Sequence, residues 1–259
     1  MPFVVYSDKR TGSHFLSTLL NSHPDIMCDI EILNDRFMTF NDEFSRDDLL
    51  KEVMKNNNNK SFNKFRKGDS FYESDIFKSD KKFKIFGFVL KYNIPIDNTL
   101  LKNFKILHLL RKNVVSIAFS NVMMRYMDGQ YHFTKEKKLE NKIVFDKHQM
   151  DNLRNRINGH IFNMNNKRKL VSNFDVKEIF YEDLNSEFDP NKKELSHQKS
   201  NEICTFLNVP TINLKTKLIK NKHYQPRNII ENYNEVLDYL YKRFSKNEKV
   251  LKYIIELRK

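Results

Sequence analysis

Residues 3–20, FVVYSDKRTGSHFLSTLL, decide the fold. The stretch opens on an apolar run suited to a buried strand. It turns through Arg10, Thr11, Gly12 and Ser13, and continues with Phe15, Leu16, Leu19 and Leu20 at helical spacing. Strand, short polar turn and helix, in that order, form the layout of a phosphate-binding loop. The G-x-x-x-x-G-K-[ST] pattern of nucleoside-triphosphate loops is nevertheless missing. A helix start offers unpaired backbone N–H groups and the positive end of the helix dipole. Gly12 lets an anion approach the backbone, Ser13 suits a helix cap and a hydroxyl donor, and Arg10 adds a guanidinium whose fork matches phosphate. The four residues read as an anion cradle. They read equally as an ordinary capped turn after a strand.

Working outward, strands are expected over residues 3–6, 83–91, 104–110 and 176–181, with a short extended piece over 26–31. Helices are expected over 13–22, 46–55, 72–78, 112–127, 152–170, 195–207, 228–242 and 246–257. Pro24 stops the first helix, and Asp128-Gly129 marks the end of the fourth. Strands alternating with helices predict an α/β fold: a P-loop-like, mainly parallel central sheet flanked by helices on both faces. No repeat or linker divides the chain, so residues 1–259 read as a single domain.

Hydrophobic residues make up 39% of the chain and there are 22 Phe, enough for a sizeable core. The net charge of +13 implies an anionic partner, whether nucleotide, nucleic acid, anionic glycan or acidic membrane. It does not choose among them, and most of the lysines read as solvated surface. Cys28 and Cys204 make no disulfide framework, and a reduced chain is the simplest reading. No apolar run approaches the roughly 18 residues of a membrane span. No basic-then-apolar leader opens the chain. The expectation is a soluble, cytoplasmic protein. The His and Cys spacings suggest no metal site.

A second constellation lies in KILHLLRKNVVSIAFS, residues 105–120. Arg111 follows an apolar strand at its C-terminal edge, where open α/β sheets bind ligands. Ser120 sits on the helix that follows. Arg at a strand end and Ser on the next helix suit a second phosphate. Alternatively, Arg111 pairs with a surface carboxylate and Ser120 is a buried helix hydroxyl.

With both constellations in view, RTGSHFLSTLLNSHPDI followed by CDIEI resembles the start of the sulfotransferases that use 3′-phosphoadenosine 5′-phosphosulfate (PAPS). The likeness is closest to bacterial carbohydrate sulfotransferases and related Golgi-type enzymes. The R-[ST]-G-S-T-x-L loop of that family holds the 5′-phosphosulfate, which implies that role for Arg10, Thr11, Gly12 and Ser13. His14 stands where the family has Thr. Arg111, Asn113 and Ser120 are similar to its R-x-N-x-x-x-x-x-x-S motif for the 3′-phosphate. YEDL at residues 181–184 resembles a segment whose Tyr lies near the adenine, making Tyr181 a candidate. Core packing is its competing role. Residues 218–236 resemble a basic loop in which Lys220 and Lys222 would close over the phosphates, and a solvated lysine loop is the alternative.

The resemblance implies sulfuryl transfer from PAPS to a hydroxyl, that of a carbohydrate or small-molecule acceptor, with 3′-phosphoadenosine 5′-phosphate (PAP) as product and no metal. Glu31 is the expected general base, with Asp29 and His23 as runners-up. Arg10 would stabilise the leaving phosphate. Lys91 is a further catalytic candidate. The family carries Lys in a G-F-K-like stretch of this strand, whereas GFVLK here has Val89 at that place and Lys91 on the same strand face two residues later. Residues 34–80 and 133–170 match no motif and are expected to carry acceptor specificity. A kinase-type loop lacks its Lys here. A nucleic-acid binder has no need of Arg10, Arg111 and Ser120 at strand ends. A sulfotransferase-like nucleotide binder without turnover stays open.

Overall fold

The computed structural model describes residues 1–29, 33, 44–55, 83–123, 142–218 and 225–258. Glu31, Lys220 and Lys222 lie outside the described residues, as do the expected helix over 72–78 and most of 34–80. Within them the chain forms two compact units. The first comprises Met1–Leu110 with Lys167–Thr216, the second Arg111–Asn166 with Lys217–Lys259.

The first unit is built on β1 (Phe3–Ser7), β2 (Ile26–Asp29), β3 (Ile85–Lys91), β4 (Lys105–Leu110) and β5 (Val176–Phe180). They form a parallel sheet in the order β2-β3-β1-β4-β5. Both faces are covered, so the inner strands read as unbroken apolar runs; every residue of IFGFVLK in β3 is buried. One face carries α1 (Ser13–Asn21), whose Leu16, Leu19 and Leu20 meet Phe3, Val5 and Val89. Leu184 and the helix His197–Leu207 complete that layer. The opposite face packs Leu49, Leu50 and Val53 of α2 (Arg46–Lys55) on Val4, Phe86, Phe88 and Ile106, with Leu101 of a 3-10 helix, Asn98–Asn103. Gly87 faces Phe3 in register, and a Cβ there would stand 2.3 Å from the Phe3 ring. The glycine makes room for that ring on the sheet. Asn21 seals the β2 edge: its amide donates to Cys28 O at 2.7 Å and accepts from Cys28 N at 2.8 Å.

The second unit is helical. It contains α3 (Val114–Met123), α4 (Lys147–Val171) as far as Asn166, and the closing segments α7 (Pro226–Ile229), α8 (Tyr233–Arg243) and α9 (Glu248–Arg258). Their core joins Val115, Phe119, Leu153, Ile157, Leu237, Leu240 and Ile254. The single helix expected over 228–242 is interrupted. Ile230 is extended and bridges Ile143, and the Asn232 side chain reads both backbone groups of Phe145 at 2.8 and 2.9 Å. Those tertiary bonds satisfy backbone that a continuous helix would have used internally.

Two short features escaped the hydrophobic pattern. They are the 3-10 helix and a two-stranded hairpin, β6 (Phe188–Asp189) with β7 (Glu194–Leu195). The helix α6 (His197–Leu207) therefore starts two residues later than expected, on the Ser196 cap. Between β5 and β6 lies α5 (Tyr181–Ser186). Cys28 and Cys204 are free, buried and members of one core cluster. No helix among the described residues is long and apolar enough to cross a membrane.

Candidate functional site

The first constellation sits at the C-terminal end of β1, wholly within the first unit. Two residues of the turn take left-handed backbone, Arg10 at φ 64° and Gly12 at φ 94°. For Arg10 that conformation is unfavourable and has to be held by its surroundings. The Thr11 hydroxyl donates to Asp8 O at 2.8 Å, and Asp8 Oδ1 accepts from Lys9 N at 2.7 Å. Together these bonds tie the turn upon itself. Backbone turns of this kind gather N–H groups into an anion-binding concavity.

The expected cap at Ser13 is corrected. Gly12 is the N-cap of α1, in left-handed conformation and with no side-chain cap bond, and Ser13 is the first helical residue. The hydroxyl of Ser13 is engaged elsewhere: it accepts from Lys91 Nζ at 2.5 Å. The same ammonium donates to Ser7 Oγ at 3.2 Å and to Asp8 O at 3.4 Å.

Lys91 ends β3, paired in register with Ser7 at the end of β1, and is 3% exposed. Its side chain crosses from the neighbouring strand into the turn. Burying an ammonium is unfavourable unless its donors find acceptors, and the turn supplies them. Ser13 Oγ accepts from Lys91, which leaves its own O–H with the capacity to donate. A buried cation, the N-terminal end of α1 and a left-handed turn therefore coincide, and all three favour an anion.

Tyr181, the first residue of α5, lies against the same turn. A Cβ on Gly12 would stand 2.3 Å from its Cδ2. The ring also meets Phe15 edge-on at 6.2 Å, and Phe15 meets Phe188 at 5.2 Å. Gly12 is thus required by the close approach of an aromatic ring as well as by its own backbone. His14 is half-buried in the first turn of α1, where its carbonyl accepts from Ser17 Oγ at 2.9 Å.

The segment 210–216 is strapped along α1. Thr216 and Thr18 hydroxyls meet at 2.7 Å, Lys215 N donates to Ser22 Oγ at 2.8 Å, and His23 Nε2 meets Pro210 O at 2.7 Å. His23 Nδ1 accepts from Asp25 N at 2.9 Å. Both ring nitrogens of His23 are therefore committed to backbone, which removes it from the candidate bases. Asp29 ends β2 and is 3% exposed. Burial, with the Asp29 charge beside it, pushes the Cys28 thiol well up.

The second constellation belongs to the second unit. Arg111 follows Leu110, the last residue of β4, and is half-buried. Ser120 is half-buried on α3. Asn113 Oδ1 accepts from Ser116 N at 2.9 Å, so it caps α3.

Sequence reasoning missed Ser7 and Asp8 as partners of Lys91. A polar Ser closing an otherwise apolar strand was the available signal. It also missed the buried trio Tyr6, Tyr92 and His108 on the opposite face of the sheet.

Among solved structures the chain is similar to a sulfotransferase from Alicyclobacillus acidocaldarius, with a TM-score of 0.52 at 17% identity over 100% of this chain and 99% of that one. A mouse sulfotransferase complexed with PAP matches with a TM-score of 0.43 at 14% identity over 98% and 88%. The sulfotransferase domain from the curacin biosynthetic pathway matches with a TM-score of 0.42 at 15% identity over 100% and 98%. No protein-family model matches the sequence, and no curated protein matches it. The first likeness establishes the fold: a mainly parallel α/β sheet of the sulfotransferase type.

Proposed function

We propose that this protein transfers a sulfuryl group from PAPS to a hydroxyl, that of a carbohydrate acceptor. The observation that carries the reading is the buried Lys91 ammonium on Ser13 Oγ at the start of α1. A turn with a left-handed Arg10 and Gly12, a helix N-terminus and a cation from the adjacent strand together fit a phosphosulfate. The fold is the scaffold on which that chemistry is found, and the carbohydrate acceptor rests on the motif resemblance.

In this reading Arg10, Thr11, Gly12, Ser13 and His14 hold the 5′-phosphosulfate, and Tyr181 borders the adenine. Arg111 and Ser120 take the 3′-phosphate, with Lys220 and Lys222 closing over the phosphates. The bond from acceptor oxygen to sulfur forms as the bond from sulfur to the 5′-phosphate oxygen breaks. The acceptor proton passes to the Glu31 carboxylate, a contribution of roughly 10²–10⁴-fold for a positioned general base. Charge developing on the leaving phosphate falls to Lys91 and Arg10. Positioning and electrostatics do most of the work in such transfers.

The test is calorimetric titration with PAP and with ATP, followed by assay of a panel of sugars with PAPS. PAP binding well above ATP, with sulfated product, supports the reading. Absence of PAP binding overturns it.

A further inference from the structure

Lys91 and Ser7 face α1. Their chain neighbours Tyr92 and Tyr6 point to the other side of the sheet, as alternation along a strand requires. There they meet His108 of β4, the register partner of Tyr6. Tyr6 is 2% exposed, Tyr92 9% and His108 0%. The rings pack closely at tilted angles: Tyr6 to Tyr92 is 4.8 Å between centroids, Tyr6 to His108 5.7 Å, and Tyr92 to His108 5.8 Å. A hydrogen bond joins Tyr92 Oη and His108 Nε2 at 2.5 Å.

The strand order gives this bond its meaning. β3 and β4 lie on either side of β1, so the bond reaches from one neighbour of β1 to the other, past the Tyr6 ring. Next-nearest strands are separated by about 9–10 Å, twice the ordinary spacing, which only long side chains span. The bond lies at the C-terminal ends of β1 and β3, with His108 two residues before the end of β4. Tyr92 N donates to Ser7 O at 3.0 Å immediately beyond Lys91, and the residue after Ser7 begins the turn.

We propose that the Tyr92–His108 hydrogen bond is a cross-brace over β1 that positions Lys91 and Ser7 for the anion held by the turn. Both are positioning residues: they act through Lys91 and the turn backbone. For its ligand the inference rests on the nucleotide reading above. For its mechanics it rests on the sheet geometry alone.

The brace is enclosed. Glu178 of β5 stands beside His108 in register, and Arg168 of α4 grips that carboxylate at 2.6 and 2.5 Å. Lys167 lies 5.9 Å from the Tyr6 ring centroid. Asp8 acts electrostatically on Tyr92 from the turn. His108 Nδ1 makes no hydrogen bond among the described residues, so the Nε2 bond to Tyr92 is its polar tether.

The test compares Tyr92→Phe and His108→Leu with wild type, with Phe104→Leu in the same core layer as the stability control. Amide exchange over residues 7–13, measured on the folded protein, reads the turn directly. PAP affinity by calorimetry reads its consequence. Both brace variants are expected to raise exchange in the turn and to weaken PAP binding about tenfold, the effect of one buried hydrogen bond. His108→Gln keeps an amide able to accept from the Tyr92 hydroxyl and should restore most of both properties. Phe104→Leu should lower thermal stability and leave both unchanged. Turn exchange at the wild-type level in the brace variants overturns the proposal, as does an equal rise in Phe104→Leu. If either brace variant fails to fold, the other decides. If wild type binds no PAP, the nucleotide reading fails and turn exchange alone decides the brace.

Discussion

Lys91 Nζ stands 2.5 Å from Ser13 Oγ, so a cation from β3 meets the first helical residue after β1. The nucleoside-triphosphate pattern places its lysine inside the loop. Here the lysine comes from the adjacent strand, where it is paired in register with Ser7.

Lys91→Met keeps most of the buried stem and removes the charge. PAP affinity is expected to fall about 10- to 100-fold, because hydrogen bonds to charged groups contribute about 1.5–3 kcal/mol. Calorimetry measures it. Lys91→Arg should not restore affinity, since a planar fork does not replace a compact ammonium in a buried slot.

Gly12→Ala meets two obstacles, the φ of 94° and the Tyr181 ring 2.3 Å from the new methyl. Destabilisation of about 1–3 kcal/mol is expected, read as a drop of several degrees in Tm. Adding Tyr181→Ala should recover the steric part and leave the backbone part. Full recovery in the double variant would show that the φ is without cost.

His108 makes stability depend on pH. Burial pushes its pKa down from 6.5 to about 4. The unfolded chain therefore takes up the proton first as pH falls. Stability present above 6.5 is lost progressively between 6.5 and about 4, and the loss levels off once the native ring is also protonated. The single-group effect is at most about 3 kcal/mol. Chemical denaturation of wild type and His108→Gln across this range measures it, with a flatter profile expected for the variant.

The sheet was legible because parallel strands covered on both faces are apolar from end to end, as in residues 85–91 and 105–110. The turn after β1 was legible as a strand–turn–helix junction, since an apolar run, a polar turn with glycine and a helical spacing follow one another there, but an ordinary capped turn fitted it equally. What Lys91 does was only half legible. Strand alternation puts it on the Ser7 side, but the reach of its ammonium into a neighbouring turn depends on strand order, which a single strand does not encode. The break at Ile230 and the Asn232–Phe145 bonds depend on a segment 87 residues earlier in the chain, so local periodicity continued the helix through them. His23 stood as a runner-up base. Its two backbone bonds are long-range and short-range facts of the folded chain.

Arg111→Ala separates the two phosphate roles. It should weaken PAP about 10- to 100-fold and change the affinity for adenosine 5′-monophosphate by less than about threefold, because only PAP carries the 3′-phosphate. Equal losses for both ligands contradict that assignment.

Glu31→Gln should leave PAP affinity intact while lowering turnover with a responsive acceptor by roughly 10²–10⁴-fold. Wild-type turnover in that variant would remove Glu31 as the base.

The central claim is met most directly by one titration of the purified protein, PAP against ATP at the same pH and ionic strength. The account predicts saturable PAP binding at least about tenfold tighter than ATP, about 1.4 kcal/mol apart. No PAP binding, or ATP bound as tightly as PAP, would contradict it.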